Sequence, residues 1–140
     1  MIVIEPPMRE QDAYGAGYFG ASRGTRDHNG EDRACHPGSK VYAPVQGVVT
    51  KLGYPYGDDL RFRYVEIAMV NGYRVRVFYI EPKVIKGETV FLEKTIIGIS
   101  QRLGDRYPKN YKHPAPITEH IHIEVKDSEG VFLNPRDILT

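Results

Sequence analysis

The amino-acid sequence predicts an all-β domain built around a central antiparallel sheet, with little helix. The 140 residues include 14 glycines and 10 prolines, which indicates many turns and suits short strands better than long helices. Two β-rich segments, 62–70 and 73–80, flank Asn71-Gly72, the strongest short-range signal for a type I′ hairpin turn. No stretch offers the apolar periodicity of a convincing amphipathic helix.

The other elements follow from local composition. Residues 1–13 open with a short apolar run and two prolines, and we expect an edge strand or a tether. The glycine-rich aromatic segment 14–24 predicts a loop. Residues 40–54 predict two strands joined by a turn, and 88–100 supply further strand. Residues 101–118 are polar and proline-rich, so they predict a long loop, which in a small domain is usually functional or disordered.

Size and charge limit the classes of function. At 15.9 kDa the chain suits one compact domain, 1–140, and its net charge of +1 argues against capture of nucleic acid. Cys35 is the only cysteine, which excludes an intramolecular disulfide and a thiolate zinc cluster. We expect no signal peptide and no membrane span, because no basic, apolar leader and no run of eighteen apolar residues is present. Release by lysis or carriage on a phage particle would fit, and the localisation stays open.

Residues 119–125, EHIHIEV, place two histidines on a strand-like segment. Side chains two residues apart point to the same face of a strand, so His120 and His122 share one face and Ile121 and Ile123 share the other. Taken alone, two hydrogen-bonded histidines on a wet sheet face are the more common explanation, and a metal site is the alternative.

Upstream, the segment HNGED offers two further metal ligands. His28 and Asp32 lie four residues apart, and Asn29-Gly30 favours a turn that can bring both side chains to one point. A third imidazole from a distant strand would complete a three-ligand zinc set, which leaves a fourth position for water as in catalytic zinc sites. The alternative for this segment is an Asx-rich surface turn.

Together these segments resemble the lysostaphin/LytM-type zinc peptidases, whose folds belong to the duplicated hybrid motif class. The resemblance runs from about Tyr14 to Leu139 and rests on GYFGASRG, HNGED, GSKVYAPVQGVV, KGETV, IGIS, HIHIEV and LNPRDIL. It implies that His28, Asp32 and His122 bind one zinc ion and that His120 is catalytic.

The sequence departs from this family at one catalytic position. Active members have a second catalytic histidine on a middle strand, but no histidine lies between His36 and His113 here. The gap falls near residues 78–80, where Tyr79 is the only side chain with a polar hydrogen. Tyr79, or His113 in the long loop, is therefore a candidate stand-in. The stretch FYIEP in this region also resembles leukocyte cell-derived chemotaxin, a relative that lacks the same histidine.

Two functions compete. The resemblance implies a zinc endopeptidase that cuts peptide cross-links of bacterial peptidoglycan, with impaired catalysis and a phage-borne protein as one setting. The alternative is a non-catalytic zinc-containing module that holds a cell-wall peptide or a protein partner. The missing histidine counts against the enzyme, and His120 counts for it because a pure binding module has no need of that side chain. Neither the bond that is cut nor the oligomeric state can be read from the sequence.

Overall fold

The structure is a computed structural model that describes residues 19–20, 28–107 and 117–139. Three predicted segments therefore lie wholly or partly outside the described residues: the N-terminal strand or tether, 1–13, most of the loop 14–24, and much of the long loop, 101–118. The elements are β1 (Glu31–Ala34), β2 (Lys40–Tyr42), β3 (Gly47–Gly53), β4 (Tyr64–Ala68), β5 (Arg74–Phe78), β6 (Ile80–Pro82), β7 (Thr89–Val90), β8 (Ile96–Ser100), a 3₁₀ helix (Leu103–Asp105), β9 (His120–Lys126), β10 (Phe132–Leu133) and α1 (Pro135–Ile138).

The strands form two antiparallel sheets. The main sheet has the order β1-β9-β5-β4-β3-β7, with β10 also paired to β9, and the second sheet has the order β2-β8-β6. The predicted all-β class with a central antiparallel sheet is confirmed. None of the helices in the described part of the chain has the length and apolar composition needed to span a bilayer.

Side-chain alternation gives the main sheet one apolar face and one polar face. The apolar face packs into a core that Ile80 and Ile97 of the second sheet share. Its innermost residues on β4, β5 and β9 are at most 2% exposed: Val65, Ile67, Val75, Val77, Ile121, Ile123 and Val125. His120 and His122 point to the opposite face, because they alternate with Ile121 and Ile123 along β9. The same period that builds the core therefore presents the histidines away from it.

The β4–β5 hairpin lies where Asn71-Gly72 predicts it, but the prediction of a type I′ turn is wrong. A type I′ turn needs positive φ at both central residues, and Gly72 has a φ of 88° whereas Asn71 is not in the positive-φ region. Instead Gly72 N donates to Met69 O (3.0 Å) and Met69 N donates to Tyr73 O (2.8 Å). This pattern is a four-residue turn followed by a glycine bulge, in which only the glycine adopts the left-handed conformation.

Candidate metal centre

Strand pairing brings the two sequence motifs together. In the β1–β9 register Asp32 lies opposite His122. His28 precedes β1, and the turn at residues 29–30 returns its side chain toward Asp32. Gly30 is required at this turn, since a Cβ there would clash with the backbone oxygen of Ile123 and would lie 2.8 Å from both Cε1 and Nε2 of His122. The absence of a side chain at Gly30 therefore makes room for the His122 ring.

Three ligand atoms converge on one point. Asp32 Oδ1 lies 2.7 Å from His122 Nδ1 and 3.2 Å from His28 Nε2, and the two nitrogens are 3.0 Å apart. Tetrahedral zinc with bonds near 2.0–2.1 Å would hold its ligand atoms about 3.3 Å apart. His28 and Asp32 are buried, and the His122 side chain is 12% exposed. The group could hold a metal ion, and its donor types and spacing fit zinc.

The electrostatics of the group favour a cation. Burial alone raises the pKa of the Asp32 carboxyl, but hydrogen bonds with His122 and His28 and the nearby charge of His120 outweigh it, so the pKa falls well below its usual range. Burial lowers the pKa of His122, whereas its contacts with Asp32 and Glu124 raise it, and the result is a pKa of about 9. A proton or a metal ion at this point is therefore stabilised by an ionised Asp32.

His120 lies beside the three ligand atoms and is 5% exposed. Its Nδ1 is 2.6 Å from Thr118 O, and its Nε2 is 3.5 Å from Asp32 Oδ2. A carbonyl oxygen only accepts, so Nδ1–H donates to Thr118, and Nε2 carries a lone pair when the ring is neutral. The structure thus places a basic nitrogen next to the point where the ligand atoms meet.

Tyr79 lies in this neighbourhood and has an unusual backbone. Its φ of 70° is rare for a bulky residue, and it separates β5 from β6 where the chain passes from one sheet to the other. Backbone hydrogen bonds hold it on both sides: Tyr79 N donates to Arg63 O (2.8 Å), and Gln101 N donates to Tyr79 O (2.9 Å). The ring meets that of His120 edge to face at 5.7 Å. The other candidate stand-in, His113, lies outside the described residues.

The Tyr79 hydroxyl belongs to a cluster of three tyrosines. Tyr56 Oη lies 3.1 Å from Tyr79 Oη and 2.7 Å from Tyr107 Oη. Burial, the largest cause, raises the pKa of Tyr79 to about 12, so its hydroxyl stays protonated at neutral pH. The cluster joins three loops around the site. The sequence analysis missed this hydrogen-bonded set, because its members are far apart in the chain.

Two further residues shape the site, although the sequence analysis did not single them out. Glu124 Oε1 lies 3.1 Å from His122 Nε2, and the Phe78 ring meets the His122 ring at 5.2 Å. The period of two along β9 places Glu124 on the same face as His120 and His122, so its position was readable from the sequence. Its contact depends on the orientation of the His122 ring, which no spacing rule gives.

Similarity to known proteins identifies the family of the chain. No family model matches the chain. Leukocyte cell-derived chemotaxin-2 from Mus musculus is 33% identical over 121 residues, which cover 86% of this chain and 74% of that protein. The protein of the same name from Bos taurus is 32% identical over 117 residues, which cover 84% of this chain and 72% of that protein. The chain belongs to the leukocyte cell-derived chemotaxin-2 family. The resemblance noted at FYIEP thus extends along most of the chain.

The fold is that of the lysostaphin/LytM-type peptidases, as the sequence motifs predicted. The solved structure of LytU aligns with a TM-score of 0.66 at 20% identity and covers 89% of this chain and 83% of that one. The catalytic domain of lysostaphin from Staphylococcus simulans aligns with a TM-score of 0.64 at 22% identity and covers 89% of this chain and 90% of that one. A zinc-containing peptidase from Vibrio cholerae aligns with a TM-score of 0.60 at 21% identity. The alignment covers 91% of this chain and 39% of that one.

Proposed function

We propose that the chain is a zinc metalloendopeptidase-like protein that acts slowly on peptide cross-links of bacterial peptidoglycan. The observation that carries the proposal is the convergence of His28, Asp32 and His122, with His120 beside them, on a lysostaphin-type fold. Carriage on a phage particle, or release by lysis, stays the setting that the sequence suggests. Bound zinc would supply a Lewis acid that lowers the pKa of water and polarises a carbonyl group.

His120 has the geometry of a general base in this scheme. Donation from Nδ1–H to Thr118 O at 2.6 Å fixes the ring and directs Nε2 toward Asp32 Oδ2 at 3.5 Å. Nε2 can therefore accept a proton from a water molecule at the site and return it to the leaving amine. General acid–base assistance of this kind contributes about 10²–10⁴-fold to a rate.

Tyr79 is the proposed hydrogen-bond donor in place of the absent histidine. Its hydroxyl is protonated at neutral pH, and the left-handed backbone turns its ring toward His120. A donor directed at the oxygen of the scissile carbonyl stabilises the charge that develops there, and loss of such a donor costs about 10²–10³-fold. A tyrosine hydroxyl that is shared with Tyr56 supplies only part of this effect, which is why we propose slow turnover. His113 is the second candidate for the role.

A non-catalytic role has its own supporting observations. The peptidase resemblance expects a histidine near residues 78–80, where the hydroxyl of Tyr79 already bonds Tyr56. The relatives at 32–33% identity are named as chemotaxins rather than peptidases. The second candidate function is therefore a zinc-containing binding module that holds a cell-wall peptide or a protein partner in the same site.

Digestion of purified peptidoglycan from several species separates the two functions. The native protein is run beside His120→Ala and beside native protein treated with a chelator. Release of peptide amines by the native protein alone supports the endopeptidase. If nothing is cut while the native protein still sediments with the cell wall or with a partner, the enzyme is rejected and the binding module stands.

A further inference from the structure

His122 can offer a metal either of two ring nitrogens, and its surroundings distinguish them. Nδ1 lies at the meeting point, 2.7 Å from Asp32 Oδ1 and 3.0 Å from His28 Nε2. Nε2, on the other side of the ring, lies 3.1 Å from Glu124 Oε1. A neutral imidazole has one N–H and one lone pair, and a carboxylate can only accept. When the ring becomes neutral, as metal binding through a lone pair requires, Glu124 keeps the proton on Nε2 and leaves the lone pair on Nδ1.

We propose that Glu124 is a positioning residue that holds His122 in the tautomer and orientation needed for metal binding through Nδ1. The inference rests on the metal centre of the proposed function but not on catalysis. Outer partners of this type commonly determine which nitrogen of a histidine ligand faces the metal. The Glu124 carboxylate contacts His122 through Nε2, so its effect on the metal would pass through the His122 ring.

The Glu124 carboxylate is placed for this task by the strand. It lies two residues after His122 on β9, on the same face, and its side chain is 18% exposed. Its cross-strand neighbour on β5 is Arg76, whose Nε contacts Glu66 Oε2 at 2.6 Å. Because Arg76 is directed to Glu66, the Glu124 oxygen at 3.1 Å is left to receive the Nε2–H of His122.

Two further contacts of the ring, with Phe78 and Gly30, help to fix its plane but not its tautomer. Phe78 packs against His122 at 5.2 Å between ring centroids, with an interplanar angle of 67°. Gly30 lies against the Cε1–Nε2 edge, where a Cβ would be 2.8 Å from both atoms. Neither residue places a hydrogen-bonding side-chain group at Nε2. The described contacts that distinguish the two nitrogens are therefore the metal ligands on one side and Glu124 on the other.

The test compares two uncharged replacements of similar size. Glu124→Gln keeps a carbonyl oxygen that can accept from Nε2–H, whereas Glu124→Met removes the acceptor. We expect Glu124→Met to weaken zinc binding by about 10–100-fold, measured by competition with a chelating dye. The zinc affinity of Glu124→Gln should stay within about fivefold of the native value, because the amide oxygen still accepts from Nε2–H. The small loss reflects a neutral acceptor that bonds less strongly than a carboxylate. Glu129→Gln, which removes an exposed carboxylate beyond β9, is the control and should leave zinc affinity unchanged.

Nitrogen-15 NMR of the native zinc-loaded protein gives a readout that a merely structural role would not move. We expect a proton on His122 Nε2 and the metal on Nδ1. Zinc on Nε2 overturns the proposal without any variant, as does equal weakening by Gln and Met, or native affinity in both. Failure of the native protein to bind zinc overturns both this inference and the metal centre. Tight zinc binding without peptidoglycan cleavage rejects only the enzyme.

Discussion

Two charged clusters lie on the same face of the main sheet, and they differ in how their charges are matched. In the first, Glu66 Oε1 accepts from Arg74 at 2.9 Å and Oε2 accepts from Arg76 at 2.6 Å. Donors and acceptors match, so this cluster is complete as it stands. In the second, the metal centre, two imidazole nitrogens and a carboxylate oxygen crowd together at 2.7–3.2 Å.

The difference shows which cluster offers a position for a cation. The Glu66 cluster closes with side chains alone and therefore has the character of a structural ion pair. The candidate metal centre brings two imidazole nitrogens and a carboxylate oxygen to one point, where the ionised Asp32 stabilises a proton or a metal ion. Functional sites are expected where a fold keeps such an arrangement at a cost in stability.

The largest expected effect is loss of the metal. His122→Ala removes one of three protein ligands, so we expect stoichiometric zinc to be lost together with all peptide release. Elemental analysis of protein purified without a chelator checks this. Glu66→Gln is the matched control on the same sheet face and should retain one zinc per chain. Full zinc occupancy in His122→Ala would show that the ligand set is wrong.

Loss of the base comes next. His120→Ala leaves the three ligand atoms in place, so zinc content should be native while the rate of peptide release falls by about 10²–10⁴-fold. The rate is measured on purified peptidoglycan with zinc content determined on the same sample. A variant that loses zinc as well as activity would place His120 among the ligands instead.

The third effect is a slower rate on loss of the Tyr79 hydroxyl, the proposed hydrogen-bond donor. Tyr79→Phe removes the hydroxyl and keeps the ring that packs against His120, so we expect a rate reduced by up to about 10²-fold with unchanged zinc affinity. Tyr56→Phe loses the supporting hydroxyl only and should have a smaller effect. Comparison of the turnover numbers of the two variants decides the point. A Tyr79→Phe enzyme as fast as the native one would transfer the role to His113.

The smallest effect is on stability at the closed cluster. Burial raises the pKa of Glu66, but hydrogen bonds from Arg76 and Thr50 outweigh it, so the pKa is lowered from its ordinary value of 4.5. The unfolded chain therefore binds the proton more readily, and the stabilisation is present above about pH 4.5 and is lost as the pH falls through the folded-state pKa. Glu66→Gln should lower the free energy of unfolding by about 1–3 kcal/mol at pH 7.

Urea denaturation of native protein and Glu66→Gln across a pH series measures this difference. We expect the gap between the two proteins to narrow below about pH 4.5, because a protonated Glu66 resembles glutamine. A gap that stays constant with pH would show that the ion pairs contribute nothing and that the substitution acts through packing.

Much of this arrangement follows from the sequence alone. The period of two along β9 assigns His120 and His122 to one face, and the H-x-x-x-D spacing brings His28 and Asp32 to the same turn. The strand pairing that joins them spans 90 residues from Asp32 to His122. No local rule gives that pairing, and only the family resemblance predicted it.

Other features depend on geometry that local patterns do not determine. Asn71-Gly72 predicts a hairpin, but the turn type depends on how the strand ends pair, and here Met69 and Tyr73 close the ladder before a two-residue loop can form. The sequence placed the missing histidine only to within three residues, 78–80. The strand register is interrupted there, because the chain changes sheet at the left-handed residue Tyr79. The role of Glu124 depends on the orientation of one ring.

The central claim is that His28, Asp32 and His122 hold one metal ion between them. Anomalous X-ray diffraction at the zinc edge, on crystals of the chain grown with zinc at neutral pH, tests it most directly. The account predicts one peak per chain, about 2.0–2.1 Å from His28 Nε2 and His122 Nδ1 and about 2.0–2.2 Å from Asp32 Oδ1. An absent peak, or zinc bound through His120 with Asp32 or His28 unligated, would contradict it.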